Sequence, residues 1–226
     1  MKIFTGGGSS KRTRKVLREN GIGEMLTKPQ KEVPALWAFD NGVFACWQQQ
    51  KPFDTAKFLR WIEAAYRNYP RPYLAVLPDK VGEGMASFEF SFQWLKMLRE
   101  SGYGDWPWYL ALQDGMESAC VIAEMDDLAG LFLGGTDDFK KQAGYWKKIA
   151  IHNGKPFHYA RAGTLSKLAH AIMIGADSVD STFPLWTKDR LFSFIQALSQ
   201  QQFPQELLIF EKLPKWGEGS YTQVRP

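Results

Sequence analysis

Short apolar runs alternate with longer amphipathic stretches along almost the whole chain. The runs predict strands over residues 2–5, 24–27, 36–39, 73–77, 108–112, 131–133, 157–160 and 178–179. The stretches between them predict helices over 10–20, 54–68, 87–101, 118–125, 137–152, 164–174 and 187–200. Phe58, Ile62, Ala65 and Tyr66 recur at helical spacing, and Asp54 and Thr164 stand where N-capping residues belong. The segment around 24–36 is too short for a full helix, so one βα unit is truncated. Strand and helix in strict alternation imply a mainly parallel sheet covered by helices. Eight strands favour a small α/β barrel of the (β/α)8 TIM type over an open doubly wound sheet. The barrel is expected as a single domain over 1–213, with a tail at 214–226 rich in Gly, Pro and polar residues.

Composition narrows the class. The 226 residues are 45% hydrophobic and 15% aromatic, enough for one sizeable core. A net charge of +4 argues against a polycation and leaves room for a local basic face. Cys46 and Cys120 stand alone, and His152, His158 and His170 lack metal-ligand spacing, so neither a metal nor a cofactor is expected. No run of about 18 apolar residues exists, so no membrane span is expected. Met1-Lys2-Ile3-Phe4 opens nothing like a signal peptide, which points to a cytoplasmic protein.

The polar residues collect where the strands end. In order they read Thr5-Gly6-Gly7-Gly8-Ser9-Ser10, Asp40-Asn41-Gly42-Val43-Phe44, Pro78-Asp79-Lys80, Gln113-Asp114-Gly115, Gly134-Gly135-Thr136, Ala160-Arg161-Ala162-Gly163 and Asp177-Ser178-Val179-Asp180. In a (β/α)8 barrel all of these would lie on the C-terminal face, where the chemistry of such barrels sits. Carboxylates at strand ends also serve as ordinary caps, and Gly-Gly is an ordinary tight turn. The first strand end runs into Lys11, Arg12, Arg14, Lys15 and Arg18. Glycines, hydroxyls and a helix start make this a plausible phosphate cradle, or simply a solvated helix face.

The order of these pieces resembles the tRNA-guanine transglycosylase superfamily, and within it the short phage and bacterial branch that inserts 7-deazaguanines into DNA. The resemblance runs from about Leu36 to Thr182. Its strongest part is His158-Tyr159-Ala160-Arg161-Ala162-Gly163-Thr164 through Gly175-Ala176-Asp177-Ser178-Val179-Asp180-Ser181. It implies that Asp180 is the nucleophile attacking the sugar C1′, and that Asp40 handles the proton of the exchanging base. Asp79 would read the N1–H and 2-amino edge of guanine, Gln113 would donate to O6, and Gly134 and Gly135 would offer backbone N–H groups to that same oxygen. Phe44 would stack on the base, and Arg161 would bind a phosphate or orient a carboxylate. Lys11, Arg12, Arg14 and Lys15 would meet nucleic acid.

Departures accompany the resemblance. This chain lacks the three Cys and one His of the family's zinc-binding subdomain. A methionine that packs on the base falls at Ala160, and Asn41 stands where Ser is usual. The implied activity is exchange of guanine in DNA for a 7-deazaguanine such as preQ0, in the host cytoplasm if phage-encoded, with a homodimer admitted by the resemblance. The alternatives are tRNA as the polymer, a nucleic-acid glycosylase, and a barrel that binds nucleic acid without catalysis.

Overall fold

A computed structural model describes residues 1–6 and 10–200, with side chains to 196. Eight parallel strands close into one barrel in sequence order: β1 (Lys2–Gly6), β2 (Gly23–Leu26), β3 (Trp37–Phe39), β4 (Ala75–Val76), β5 (Trp108–Leu112), β6 (Gly130–Leu133), β7 (Phe157–Tyr159) and β8 (Ser178–Asp180). Among the described residues eight α-helices accompany them: α1 (Lys11–Glu19), α2 (Val43–Gln48), α3 (Thr55–Asn68), α4 (Gly84–Glu100), α5 (Ser118–Ala123), α6 (Ala143–His152), α7 (Leu165–Met173) and α8 (Lys188–Gln200). This is the small (β/α)8 barrel expected. Residues 201–213 and the tail at 214–226 lie outside the described residues, as do Gly7, Gly8 and Ser9 of the first strand end.

The start signals act as read. The Asp54 carboxylate accepts from the Lys57 N–H at 2.9 Å, and the Thr164 hydroxyl from the Lys167 N–H at 3.2 Å. No helix joins β2 to β3; instead, the Tyr69 hydroxyl beyond α3 hydrogen-bonds both backbone groups of Gln30 and holds that link. Differences from expectation include two near the strand ends. The stretch expected as one helix over 137–152 opens with a 3₁₀ turn, Phe139–Gln142, before α6 begins. The unexpected α2 is only six residues long and starts after Gly42 at φ 76° with no capping side chain, so it carries no start signal to read.

Two apolar layers follow from the two-residue period of the strands. Outward residues such as Phe39, Leu110, Leu131 and Val179 pack under the helices. Inward residues Phe4, Met25, Ala38, Leu74, Val76, Tyr109 and Ala111 fill the lumen. Two lumen aromatics depend on a neighbouring glycine. A Cβ on Gly130 would lie 2.5 Å from the Tyr109 ring and 2.8 Å from the Pro156 carbonyl, and one on Gly23 would lie 2.8 Å from Phe4. No helix among the described residues is long and apolar enough to cross a membrane.

Gly130→Ala is therefore expected to lower the urea midpoint, by about 1–3 kcal/mol of stability. Gly144→Ala, in the first turn of α6 with nothing within 4 Å of the new methyl, is expected to raise the midpoint, by about 0.5 kcal/mol of stability.

Candidate active site

The C-terminal ends of the strands surround an inner cavity of about 90 Å³. Asp40, Phe44, Asp79, Gln113, Gly134, Gly135, Arg161 and Asp180, the residues assigned to base and sugar by resemblance, all line it. Met25, Val76, Ala111 and Phe132 form its apolar floor and walls. An outer cavity of about 570 Å³ adjoins it, lined by Lys28, Gln30, Gly163 and Thr182 among others. Met25, Asp40, Phe44, Arg161 and Asp180 belong to both. The two carboxylates thus stand at the junction.

Asp180 ends β8 and is only 15% exposed at its side chain. Its Oδ1 accepts from His158 Nε2 and from the backbone N–H of Arg161, each at 3.0 Å. Burial alone would push this carboxyl up. The His158 hydrogen bond and charge, the Arg161 N–H and the charge of Lys140 outweigh burial and hold it below the usual carboxylate range. Arg161 presents that N–H from a left-handed backbone, φ 55°, which an arginine rarely adopts. Its guanidinium donates to the Gly135 carbonyl and lies 4.2 Å from the centroid of the Phe44 ring. That is stacking distance, so no base fits between Phe44 and the arginine until the guanidinium moves.

Asp40 follows β3, with Oδ1 accepting from the Gly42 N–H at 3.1 Å. Its pKa is raised to about 6, chiefly by burial and then by the charge of Asp180. Asp79 is likewise raised to about 6, chiefly by burial, with Asp40 adding to it. Both Asp79 oxygens are held: Oδ1 by the Asn41 amide at 2.8 Å, and Oδ2 by the Gln113 amide at 2.6 Å. Asn41 also donates to the Leu77 carbonyl and accepts from the Val43 N–H, so it is fully engaged in aiming Asp79. Gln113 Oε1 accepts from the Gly82 N–H at 3.2 Å, which orients the amide and leaves one N–H to offer.

Some expectations need correction. The Gly134 N–H donates to the Leu112 carbonyl at 3.1 Å, because the ladder continues past the apolar run; it is not free for a ligand. Gly135, at φ 67°, keeps an N–H with no acceptor among the described residues. Asp114 holds this loop by accepting from the Thr136 N–H and hydroxyl. Asp177 precedes β8 and so sits at the opposite end of the barrel, where it pairs with Lys147 at 2.6 Å and accepts from the Phe157 N–H. The polar strand-end residues therefore do not all share one face.

The basic cluster is divided. Arg14 bonds Gln30 of the outer cavity at 3.1 Å, while Lys15 pairs with Glu19 and Arg18 with the buried Glu24. Lys11 and Arg12 are exposed on α1. Lys28, absent from the expected set, lines the outer cavity directly.

Sequence reasoning also passed over His158 and Lys140. His158 is buried on β7, and its signal was a lone histidine on the inward face of an apolar strand. Lys140 is 3% exposed, donates to the Ala160 carbonyl and lies over the Tyr159 ring. Burial and then the Arg161 charge lower its pKa to about 7, against the pull of Asp180. No group of three or more His, Cys, Asp or Glu among the described residues is placed to hold a metal ion. Compared with known proteins, the chain matches no family model and no curated protein sequence.

The raised Asp40 pKa has a sign. The folded state holds this proton more tightly than the unfolded chain, so its contribution to stability falls as pH rises through about 6. Asp40→Asn, whose amide oxygen can still accept from Gly42, is expected to be more stable than wild type at pH 8 by about 1 kcal/mol, with the difference vanishing near pH 4 in urea titrations. Asp79→Asn should gain less, since its new amide would face two donors.

Proposed function

We propose that the protein exchanges guanine in DNA for a 7-deazaguanine through a covalent aspartyl-glycosyl intermediate. The observation that carries this reading is the position of Asp180 and Asp40 at the junction of two cavities. The inner one carries base-reading groups, Asp79 and Gln113, over an apolar floor. The outer one carries Lys28, Gln30 and Arg161, fit for a sugar and its phosphates. A nucleotide laid across the junction has its glycosidic bond beside both carboxylates.

An ionised Asp180 attacks C1′ as the C1′–N9 bond breaks, and a protonated Asp40 gives its proton to the departing guanine. The incoming base returns its N9 proton to Asp40, attacks C1′, and releases Asp180 from the ester. The opposed environments of the two carboxyls, one kept ionised and one pushed toward its acid, suit these two tasks. The same recognition set serves both bases, because guanine and its 7-deaza relatives share the N1, 2-amino and O6 edge. A base inside a stacked duplex cannot reach such a site, so the reading includes its extrusion. DNA is proposed over tRNA on the resemblance to the short branch.

The test is incorporation of labelled guanine and labelled preQ0 into DNA and into tRNA. Label is expected in DNA, and Asp180→Asn should reduce it about 10⁴-fold while the fold survives. Label in tRNA alone would change the polymer, and abasic sites without label would make the protein a glycosylase. Asp79→Ala should raise KM for the base about tenfold to a hundredfold with little change in DNA affinity; equal loss of both would remove Asp79 from base recognition.

A further inference from the structure

We propose that His158 is a positioning residue that pins one oxygen of Asp180 and leaves Oδ2 as the attacking atom. This rests on the reading of Asp180 as the nucleophile. The ring has no freedom to choose another partner. It is wholly buried, stacks on Phe132 with centroids 4.6 Å apart and planes 4° from parallel, and has Phe4 on another side at 6.3 Å. Nδ1 meets the Ser178 hydroxyl at 2.8 Å, and Nε2 meets Asp180 Oδ1 at 3.0 Å.

The proton positions follow from what each partner can do. An ionised carboxylate only accepts, so Nε2 carries the hydrogen it donates to Asp180. In the neutral ring Nδ1 then accepts from the Ser178 hydroxyl. The Ser178 hydroxyl, which can donate or accept, satisfies Nδ1 in whichever state Asp180 imposes on the ring and fixes the ring's orientation. Oδ1 receives a second donor, the Arg161 N–H, so its lone pairs are engaged in the plane of the carboxylate. Oδ2 has no hydrogen-bond partner among the described residues and belongs to a side chain that lines both cavities. Other charged groups act on Asp180 from neighbouring elements: Asp40 beyond β3, and Lys140 of the 3₁₀ turn. His158 is distinct among them in bonding the carboxylate directly while lining neither cavity, so it acts through Asp180 and not on the base.

The experiment compares wild type with His158→Leu, His158→Gln and Ser178→Ala. Two quantities are read: kcat and KM for base exchange across pH, and the titration of the Asp180 carboxyl by ¹³C NMR in the free protein. His158→Leu should lower kcat at pH 7 about tenfold to a hundredfold with KM for the base nearly unchanged. The acidic limb of the rate profile and the Asp180 titration should both move to higher pH, because a donor to the ionised form is lost. His158→Gln, whose amide can donate to Oδ1, should recover part of both. Ser178→Ala, which leaves every atom around Asp180 in place, should shift both in the same direction by less, and it carries the test if His158→Leu does not fold.

An unchanged kcat and an unchanged Asp180 titration in folded His158→Leu, or in Ser178→Ala and His158→Gln together, would overturn the proposal. So would a trapped glycosyl-enzyme with its ester on the oxygen bonded to His158. The titration needs no substrate. If it shifts while wild type exchanges no base in any polymer, the positioning role stands and the exchange reading falls.

Discussion

The register between β7, β8 and β1 is the constraint on which the rest of this structure depends. His158 pairs with Ser178, and Asp180 pairs with Phe4. With a side-chain period of two, this places a histidine, a serine, a carboxylate and an aromatic ring in adjoining lumen positions. A slip of one residue in β8 would turn Asp180 toward the helices and bring Val179 into the lumen. Closure of the barrel makes such a slip costly, because every strand is paired on both sides. The position of the carboxylate is thus a property of the whole ring of strands and not of the loop that follows it.

Around that point the site divides its work by depth. The lumen supplies an apolar floor and the buried ring of His158. The strand ends supply the carboxyls, with Asn41 and Gln113 serving as amide struts on either side of Asp79. Burial raises the cost of each charge, and hydrogen bonds decide which of them keeps it. Asp180 has two donors on a single oxygen and stays ionised. Asp40 has a backbone donor and a charged neighbour, and it moves toward its protonated form.

Much of this was legible along the chain because barrel strands and their ends follow local rules. Asp180 could be located because Ser178-Val179 is a short apolar run that ends there. Asp177, one residue before the same run, was assigned to the same face. Its side of the strand pair shows only in the ladder, where its carbonyl accepts from the Lys2 N–H and its carboxylate from the Phe157 N–H. Lys140 was hidden for another reason. A helix over 137–152 singles out no lysine, but a 3₁₀ turn rotates each residue further than an α-helix does, and here it turns the amine inward to the Ala160 carbonyl. The engagement of Gly134 was equally hidden, since ladder bonds that outrun an apolar stretch leave no mark in composition.

The left-handed backbone of Arg161 has a consequence for how this chain can change. Glycine would occupy that conformation without strain, whereas a side-chain-bearing residue is held there at about 1 kcal/mol or more. The same holds in kind for the half-buried carboxyl of Asp40. A redesign guided by backbone strain and by the cost of burying charge alone would therefore choose glycine at 161 and an amide at 40, and each choice would remove an ionisable group from the junction of the cavities. Robustness and chemistry pull in opposite directions at these positions, so a variant selected for heat tolerance is the one in which this site is most readily erased.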